Sequence, residues 1–345
     1  MAFIGSGLQD CRGPEVCQVI AVARAAAGVD LTRMRIASLL ASATEIVYTI
    51  GLGDQLVAIS HECDYPLEVL DKPRISRPRF DPAALSSAEL DRAVRRVMAE
   101  HGSVYELDGE ALRRVQPDLI LTQAVCDVCA VPTSLAREAS RALDGEVRIL
   151  SLDAHTIKEI VGSVRAVGRA AGAGAAAETV AGALESRIAA VARAVRGASR
   201  PRVLAIEWLD PPFVPGHWVP EMIELAGGVC LAGETAVPSK EVPWDDLVGL
   251  DPDVLLIMPC GYKLDQTRAD ADRYAEQLEA VAPRAVAERR AWVLNGSDYF
   301  NRSGPRMVDG IEILAAVLHP DPFPDLEMRG KAAAWALSGE RKAER

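Results

Sequence analysis

The chain has 345 residues, 49% of them hydrophobic and 25% charged, with a formal net charge of −11. That length suits about two globular domains, each large enough to bury its own core. The acidic balance argues against nucleic acid as a partner, because phosphate binding needs clustered Lys and Arg. The absence of any run of about 18 apolar residues argues against a membrane span.

Residues 1–33 carry Asp10, Glu15 and Asp30, and Arg24 interrupts the short apolar stretch 19–28. No basic segment followed by a clean apolar run is present, so this region does not read as a secretory signal. It is expected to be an extension outside the fold, disordered, and the chain is expected to be cytoplasmic. An export signal missing from the chain would instead place it in the periplasm or at the cell surface. The seven cysteines are an odd number, which is no disulfide framework and fits a reducing compartment.

From Met34 a regular pattern begins. Short β-branched runs predict strands at 35–40, 56–60, 118–122 and 147–152. Helices are expected at 44–51, 87–101, 109–115 and 133–143, with Ser42 and Glu45 as a capping box. Strands alternating with helices imply a parallel sheet, buried on both faces. Residues 155–171 read as a helix that the glycines at 172 and 174 break, and a second helix runs from about 175 to 195. A helix of some twenty residues spans roughly 30 Å, enough to join two lobes as a stiff strut. Strands return at 202–208, 253–258 and 291–294, with helices at 218–226, 245–249, 267–282 and 305–318. The resulting division is an extension (1–33), a first lobe (34–153), connecting helices (154–198), a second lobe (199–320) and a charged tail (321–345). The fold class is α/β: two lobes with parallel-type sheets joined by a long rigid backbone helix, with a ligand cleft between them. A monomer is expected.

Seven motifs in order resemble a known family: Arg35-Ile-Ala-Ser-Leu-Leu-Ala-Ser-Ala-Thr-Glu-Ile46, Cys63-Asp-Tyr-Pro66, Gln116-Pro-Asp-Leu-Ile120, Pro211-Pro-Phe213, Glu241-Val-Pro-Trp244, Asp251-Pro-Asp-Val254 and Ser297-Asp-Tyr-Phe300 with Pro305-Arg306. They resemble the vitamin B12-binding subunit of ABC importers, a helical-backbone (class III) substrate-binding protein whose relatives also carry ferric siderophores and haem. The resemblance covers about residues 34–320 and implies a macrocycle, cobalamin or a related corrinoid, held between the lobes without catalysis. Phe213, Trp244, Tyr299 and Phe300 match motif positions that line the cleft. Trp208 and Trp218 are less direct companions, and Tyr105 stands where the family has an aromatic before an acidic helix start. Glu110 and Asp245 match, one per lobe, the acidic positions that dock on permease arginines. Acidic residues also favour any helix N-terminus.

The residues themselves leave a second reading open. Cys63 follows one parallel strand, and Cys126 and Cys129 follow another, so all three fall at one sheet edge with His61 two residues from Cys63. Three thiols and an imidazole are a tetrahedral set for zinc or ligands for an iron–sulfur cluster. The plain alternative is a group of small buried residues. His217, in a loop facing the cleft, has the chemistry to ligate cobalt or iron. His155 is expected to cap the connecting helix, Tyr65 to pack in the core, and His101 and His319 to lie on the surface. No nucleophile–base pair or Gly-rich phosphate loop appears. The expected function is therefore non-catalytic corrinoid binding. The alternatives are a cytosolic metallocofactor or redox protein using the cysteines, or a siderophore or haem binder.

Overall fold

The computed structural model describes residues 34–82, 85–125, 130–141, 143 and 145–336. The expected extension at 1–33 lies outside the described residues, as do Cys126 and Cys129. The first lobe contains β1 (Ile36–Ser38), α1 (Ala41–Thr49), β2 (Leu56–Ile59), β3 (Ser76–Pro78), α2 (Ser87–His101), β4 (Tyr105–Leu107), α3 (Gly109–Val115), β5 (Leu119–Thr122), α4 (Thr133–Ser140) and β6 (Arg148–Ser151). The connection is α5 (Ile157–Ala170) and α6 (Gly174–Ala194). The second lobe opens with β7 (Arg202–Ile206), β8 (Trp208–Leu209), β9 (Pro212–Val214), α7 (Val219–Leu225), β10 (Val229–Cys230), β11 (Lys240–Glu241) and α8 (Trp244–Leu247). It continues through β12 (Val254–Ile257), α9 (Leu264–Arg273), α10 (Ala275–Val281), α11 (Pro283–Ala287), β13 (Ala291–Leu294), α12 (Gly296–Tyr299), α13 (Met307–Leu318) and β14 (Ala332–Ala334).

Each lobe is built on a sheet of parallel strands, in the order β2-β1-β5-β6 in the first and β10-β7-β12-β13 in the second. The strands read as unbroken apolar runs because both faces are covered. Ile36 packs on one side of the first sheet and Ala37 on the other; Val203 and Leu204 divide likewise in the second. One apolar cluster runs from Ile36 in β1, through Val164 in α5 and Val180 in α6, to Val203 in β7. The two lobes thus share a core, and the connecting helices are its centre.

The connection is a pair of helices packed on each other rather than a lone strut. Helix α5 lies on α1 of the first lobe, and α6 lies on α7 and α13 of the second. Gly168 makes the close contact possible, since a Cβ there would fall 2.2 Å from the Ala177 Cβ. The break predicted near residue 172 occurs, with Gly172 at a positive φ of 76°. Thr156, not His155, caps α5: its side chain accepts from the Glu159 N–H while Glu159 reaches back.

Several expectations are corrected. Helix α1 starts at Ala41, after Leu40, so Ser42 and Glu45 lie inside it and form no capping box. Short antiparallel strands β3 and β4 pair beside the first lobe, and β8, β9 and β11 form a small antiparallel sheet in the second. The helix expected over 267–282 is two helices meeting at Tyr274. Residues 332–334 are not tail: β14 pairs antiparallel with β13, and Trp335 after it is fully buried. His319 is also buried, with Nε2 3.3 Å from the Gly227 carbonyl oxygen. No described helix is long and apolar enough to cross a membrane.

Truncating a fully buried Trp costs about 3–5 kcal/mol. Trp335→Ala is therefore expected to lower stability by about that amount in urea unfolding. An unchanged midpoint would return residues 332–336 to a loose tail.

Candidate ligand-binding site

In both lobes the loops that leave the carboxyl ends of the parallel strands supply the facing residues, which is where α/β sheets take ligands. From the first lobe come α1 after β1, residues 60–66 after β2, and 152–156 after β6. From the second come 207–218 after β7, 258–263 after β12, and 295–306 after β13.

The strongest contact across the lobes is ionic. Glu45, 1% exposed, points from α1 to the second lobe, where Arg306 grips it through Nη2 to Oε1 at 2.6 Å and Nε to Oε2 at 3.1 Å. Arg302 Nη1 lies 3.3 Å from the same Oε1 and donates at 2.6 Å to Asp64 Oδ1. Lys263 Nζ donates to the other Asp64 oxygen at 2.9 Å. The Arg306 guanidinium also sits 4.2 Å over the Tyr65 ring. Tyr65, expected in the core, is instead a partly exposed platform for that cation. Burial would raise the Asp64 carboxyl, but Arg302 and Lys263 outweigh it and bring it down to about 2. For Arg306, burial opposes the charge and Glu45 more than restores it, so its pKa rises. At Gly304 a Cβ would come 2.9 Å from the Ser42 Cβ, so glycine permits the lobes to close here.

Further contacts join the lobes at two other places. On α2, Ser87 Oγ lies 3.3 Å from Asp270 Oδ1, and Arg95 donates to Glu241 at 2.7 Å. Beside the connecting helices, Glu221 Oε2 accepts from the Ile157 N–H at 2.9 Å, and His155 meets His217. Burial, with the adjacent His155, lowers the His217 pKa. The loop carrying His217 is fixed from below by Glu207, a buried carboxyl at the end of β7 that accepts from Ser239 Oγ at 2.6 Å. Burial pushes Glu207 up to about 7, and the Ser239 and Gly216 hydrogen bonds only partly offset it.

The aromatic residues divide. Phe213, in β9, is half-buried; Trp244, at the start of α8, is half-buried against the second lobe's own core; and Tyr299 is half-buried with its ring centroid 5.8 Å from Arg306. Phe300 is fully buried in the shared core and Trp218 is nearly so, donating its indole N–H to the Phe300 carbonyl at 2.8 Å. Both are corrected from cleft lining to core. Tyr105 is buried in the first lobe, its ring 4.8 Å from the His61 imidazole. Trp208 and Tyr262, the latter unread in the sequence, stand half-buried with ring centroids 5.2 Å apart.

Of the proposed metal set, Cys126 and Cys129 lie outside the described residues, and the two described members, Cys63 and His61, are each engaged elsewhere. Cys63 is fully buried in the apolar core, 3.0 Å from Thr44 Oγ1 and 3.2 Å from Ser60 Oγ. Burial pushes its thiol pKa up, which disfavours the thiolate a metal needs. His61 turns elsewhere, with Nδ1 2.8 Å from Ser76 Oγ and Nε2 3.2 Å from Glu62. Among the described residues no three His, Cys, Asp or Glu side chains form a metal-holding group. Glu110 and Asp245 lie exposed in the first turns of α3 and α8.

The model of the family described as periplasmic binding protein matches residues 36–291. The chain belongs to that family. A vitamin B12-binding protein of Vibrio cholerae is 24% identical over 287 residues, covering 82% of this chain and 88% of the relative. An ABC transporter substrate-binding lipoprotein of Bacillus subtilis is 24% identical over 298 residues, 84% of this chain and 82% of the relative. Among solved structures, the periplasmic vitamin B12-binding protein of Vibrio cholerae superposes with a TM-score of 0.62 at 23% identity, over 83% of this chain and 96% of that one. A periplasmic haem-binding protein of Pseudomonas aeruginosa gives 0.63 at 20% identity, over 84% and 93%. These likenesses bear out the two-lobed, class III architecture. They overturn the cytoplasmic placement: a periplasmic family with lipoprotein and periplasmic relatives points to the periplasm or the cell surface.

Breaking a buried ion pair by removing one partner costs about 3–5 kcal/mol. Glu45→Ala is expected to lose about that much, because it takes away the carboxylate that buried Arg306 grips through two hydrogen bonds and that Arg302 shares with Asp64. A loss well under 1 kcal/mol would mean water already reaches them. Glu207 gives a pH signature. An acid raised from 4.5 to about 7 in the fold contributes its full stability below pH 4.5 and loses it as pH climbs through about 7. Over that window wild-type stability should fall relative to Glu207→Gln; parallel profiles would show that residue 207 ionises normally.

Proposed function

We propose that this chain is the cargo-binding component of an ABC importer, that its cargo is a corrinoid of the cobalamin type, and that the cargo sits between the lobes. The observation that carries the reading is the alignment with curated vitamin B12-binding relatives along most of both chains. The site chemistry supports it. A flat macrocycle needs apolar and aromatic faces with a few fixed polar groups. On this reading Trp208, Phe213, Trp244 and Tyr262 supply such faces from the second lobe. Haem shares that shape, and haem-binding proteins of the same fold superpose as well as the B12-binding one does. On this reading the protein works outside the cytoplasmic membrane. Glu110 on the first lobe and Asp245 on the second dock on permease arginines.

Isothermal titration with aquocobalamin, cyanocobalamin and haem separates the cargo readings. One cobalamin site per chain, with haem weak, is the expected result; tight haem binding without a cobalamin response would transfer the assignment to haem. Trp244→Ala should weaken cobalamin by about 1–3 kcal/mol, the scale of one well-buried aromatic contact. Unchanged affinity would assign Trp244 to second-lobe packing alone.

A further inference from the structure

His155 and His217 meet across the lobes at the end of the cleft next to the connecting helices. Their Nδ1 atoms are 3.3 Å apart, with ring centroids at 5.4 Å and planes inclined by 37°. Two imidazole nitrogens bound to one tetrahedral zinc, each about 2.05 Å from it, stand about 3.3 Å apart. The separation is therefore that of two ligands on one ion. Without metal it is a single N–H···N hydrogen bond, in which one Nδ1 carries the proton and the other does not.

The backbone adds an independent observation. His217 is held at a φ of +50°, in the left-handed region that costs energy for a residue with a Cβ. Its N–H donates to the Val237 carbonyl at 2.6 Å, and its carbonyl accepts from the Ala236 N–H at 2.9 Å. Gly216 beside it packs so closely that a Cβ would fall 2.3 Å from the Ser239 nitrogen. Strain of this kind persists where the surroundings over-determine it, and it clusters at ligand sites. On the other side, the His155 N–H is fixed by Glu159 Oε2 at 2.8 Å.

We propose that His155 and His217 form a two-imidazole seat for a divalent transition-metal ion, bound through both Nδ1 atoms. Among the described residues no third ligand completes a group of three. The seat is thus open, with its remaining positions left to water or to a donor atom of the cargo. Imidazole pairs suit zinc, nickel, copper and cobalt rather than magnesium or calcium. A metal there would bridge the first lobe's exit to the second lobe and stiffen that end of the cleft. The cargo clause rests on the proposed cleft function; the seat itself does not.

The test uses the full chain, stripped with chelator and titrated with Co2+ alone. Tetrahedral Co2+ shows ligand-field bands, and cysteine ligation would add an intense thiolate charge-transfer band. One Co2+ per chain is expected, without the thiolate band and displaced by Zn2+. His155→Ala and His217→Asn should each weaken binding at least about tenfold. Asn is chosen because it tolerates the left-handed backbone. Matching thermal unfolding of the metal-free variants and wild type shows that the fold is intact. Cobalamin titration of the same metal-free proteins reports on the cleft separately. No Co2+ uptake by wild type, uptake that survives both substitutions, or uptake marked by the thiolate band would each overturn the seat.

Discussion

A carboxylate taken out of water must be met by cations, or it is costly enough to open the structure. Glu45 is that carboxylate, and its cations come from the opposite lobe. The arrangement fixes the registry of the two halves: only one approach of α1 to residues 302–306 lets Arg306 bind both carboxylate oxygens while Arg302 reaches Asp64. Gly304 is the steric counterpart, since any side chain there would push Ser42 away. Buried ion pairs add little net stability over apolar packing, but they penalise the wrong geometry heavily. Orientation of the lobes, rather than their stability, is what this network supplies.

Stability comes from the core that passes through the connection. Helices α5 and α6 pack on each other, and each covers one lobe, so a single apolar cluster continues from the first sheet to the second. Domains that meet through a small polar surface move freely, whereas these share an apolar interior. The polar contacts at Ser87–Asp270 and Arg95–Glu241 lie at the lobes' other margin. With Glu45 they hold the facing loops at a set distance, as a pre-formed ligand site requires.

The sheets were legible in the sequence because parallel strands buried on both faces leave unbroken apolar runs, as in 202–206 and 254–257. The short antiparallel pairs, β3 with β4 and β8 with β9, were not, since two or three residues carry no period. Trp335 looked like part of a charged tail because its partner strand, β13, lies some forty residues earlier. Which side chain of each motif faces inward is decided by packing, which the motif alone does not carry. Phe300 and Trp218 fill the core, while their neighbours Tyr299 and His217 remain half-exposed. Cys63 was read as a ligand from its place after a strand, yet Thr44 and Ser60 absorb it into the interior. The signal for Glu45 was present and misread. An acid inside the apolar run Ala43-Thr-Glu-Ile-Val47 satisfies the spacing of a capping box, but it is equally a buried charge awaiting a partner, which Pro305-Arg306 supplies.

The account stands or falls on whether the loops at the carboxyl ends of the two sheets enclose the cargo. A crystal grown with cyanocobalamin, with data at the cobalt absorption edge, locates the metal directly. The account predicts one anomalous peak between the lobes, with the corrin flanked by the loops that carry Trp208, Trp244 and Tyr262 and with the Glu45–Arg306 pair intact. A cobalt peak on the outer surface of either lobe, or a corrin admitted only after that pair has come apart, would contradict it.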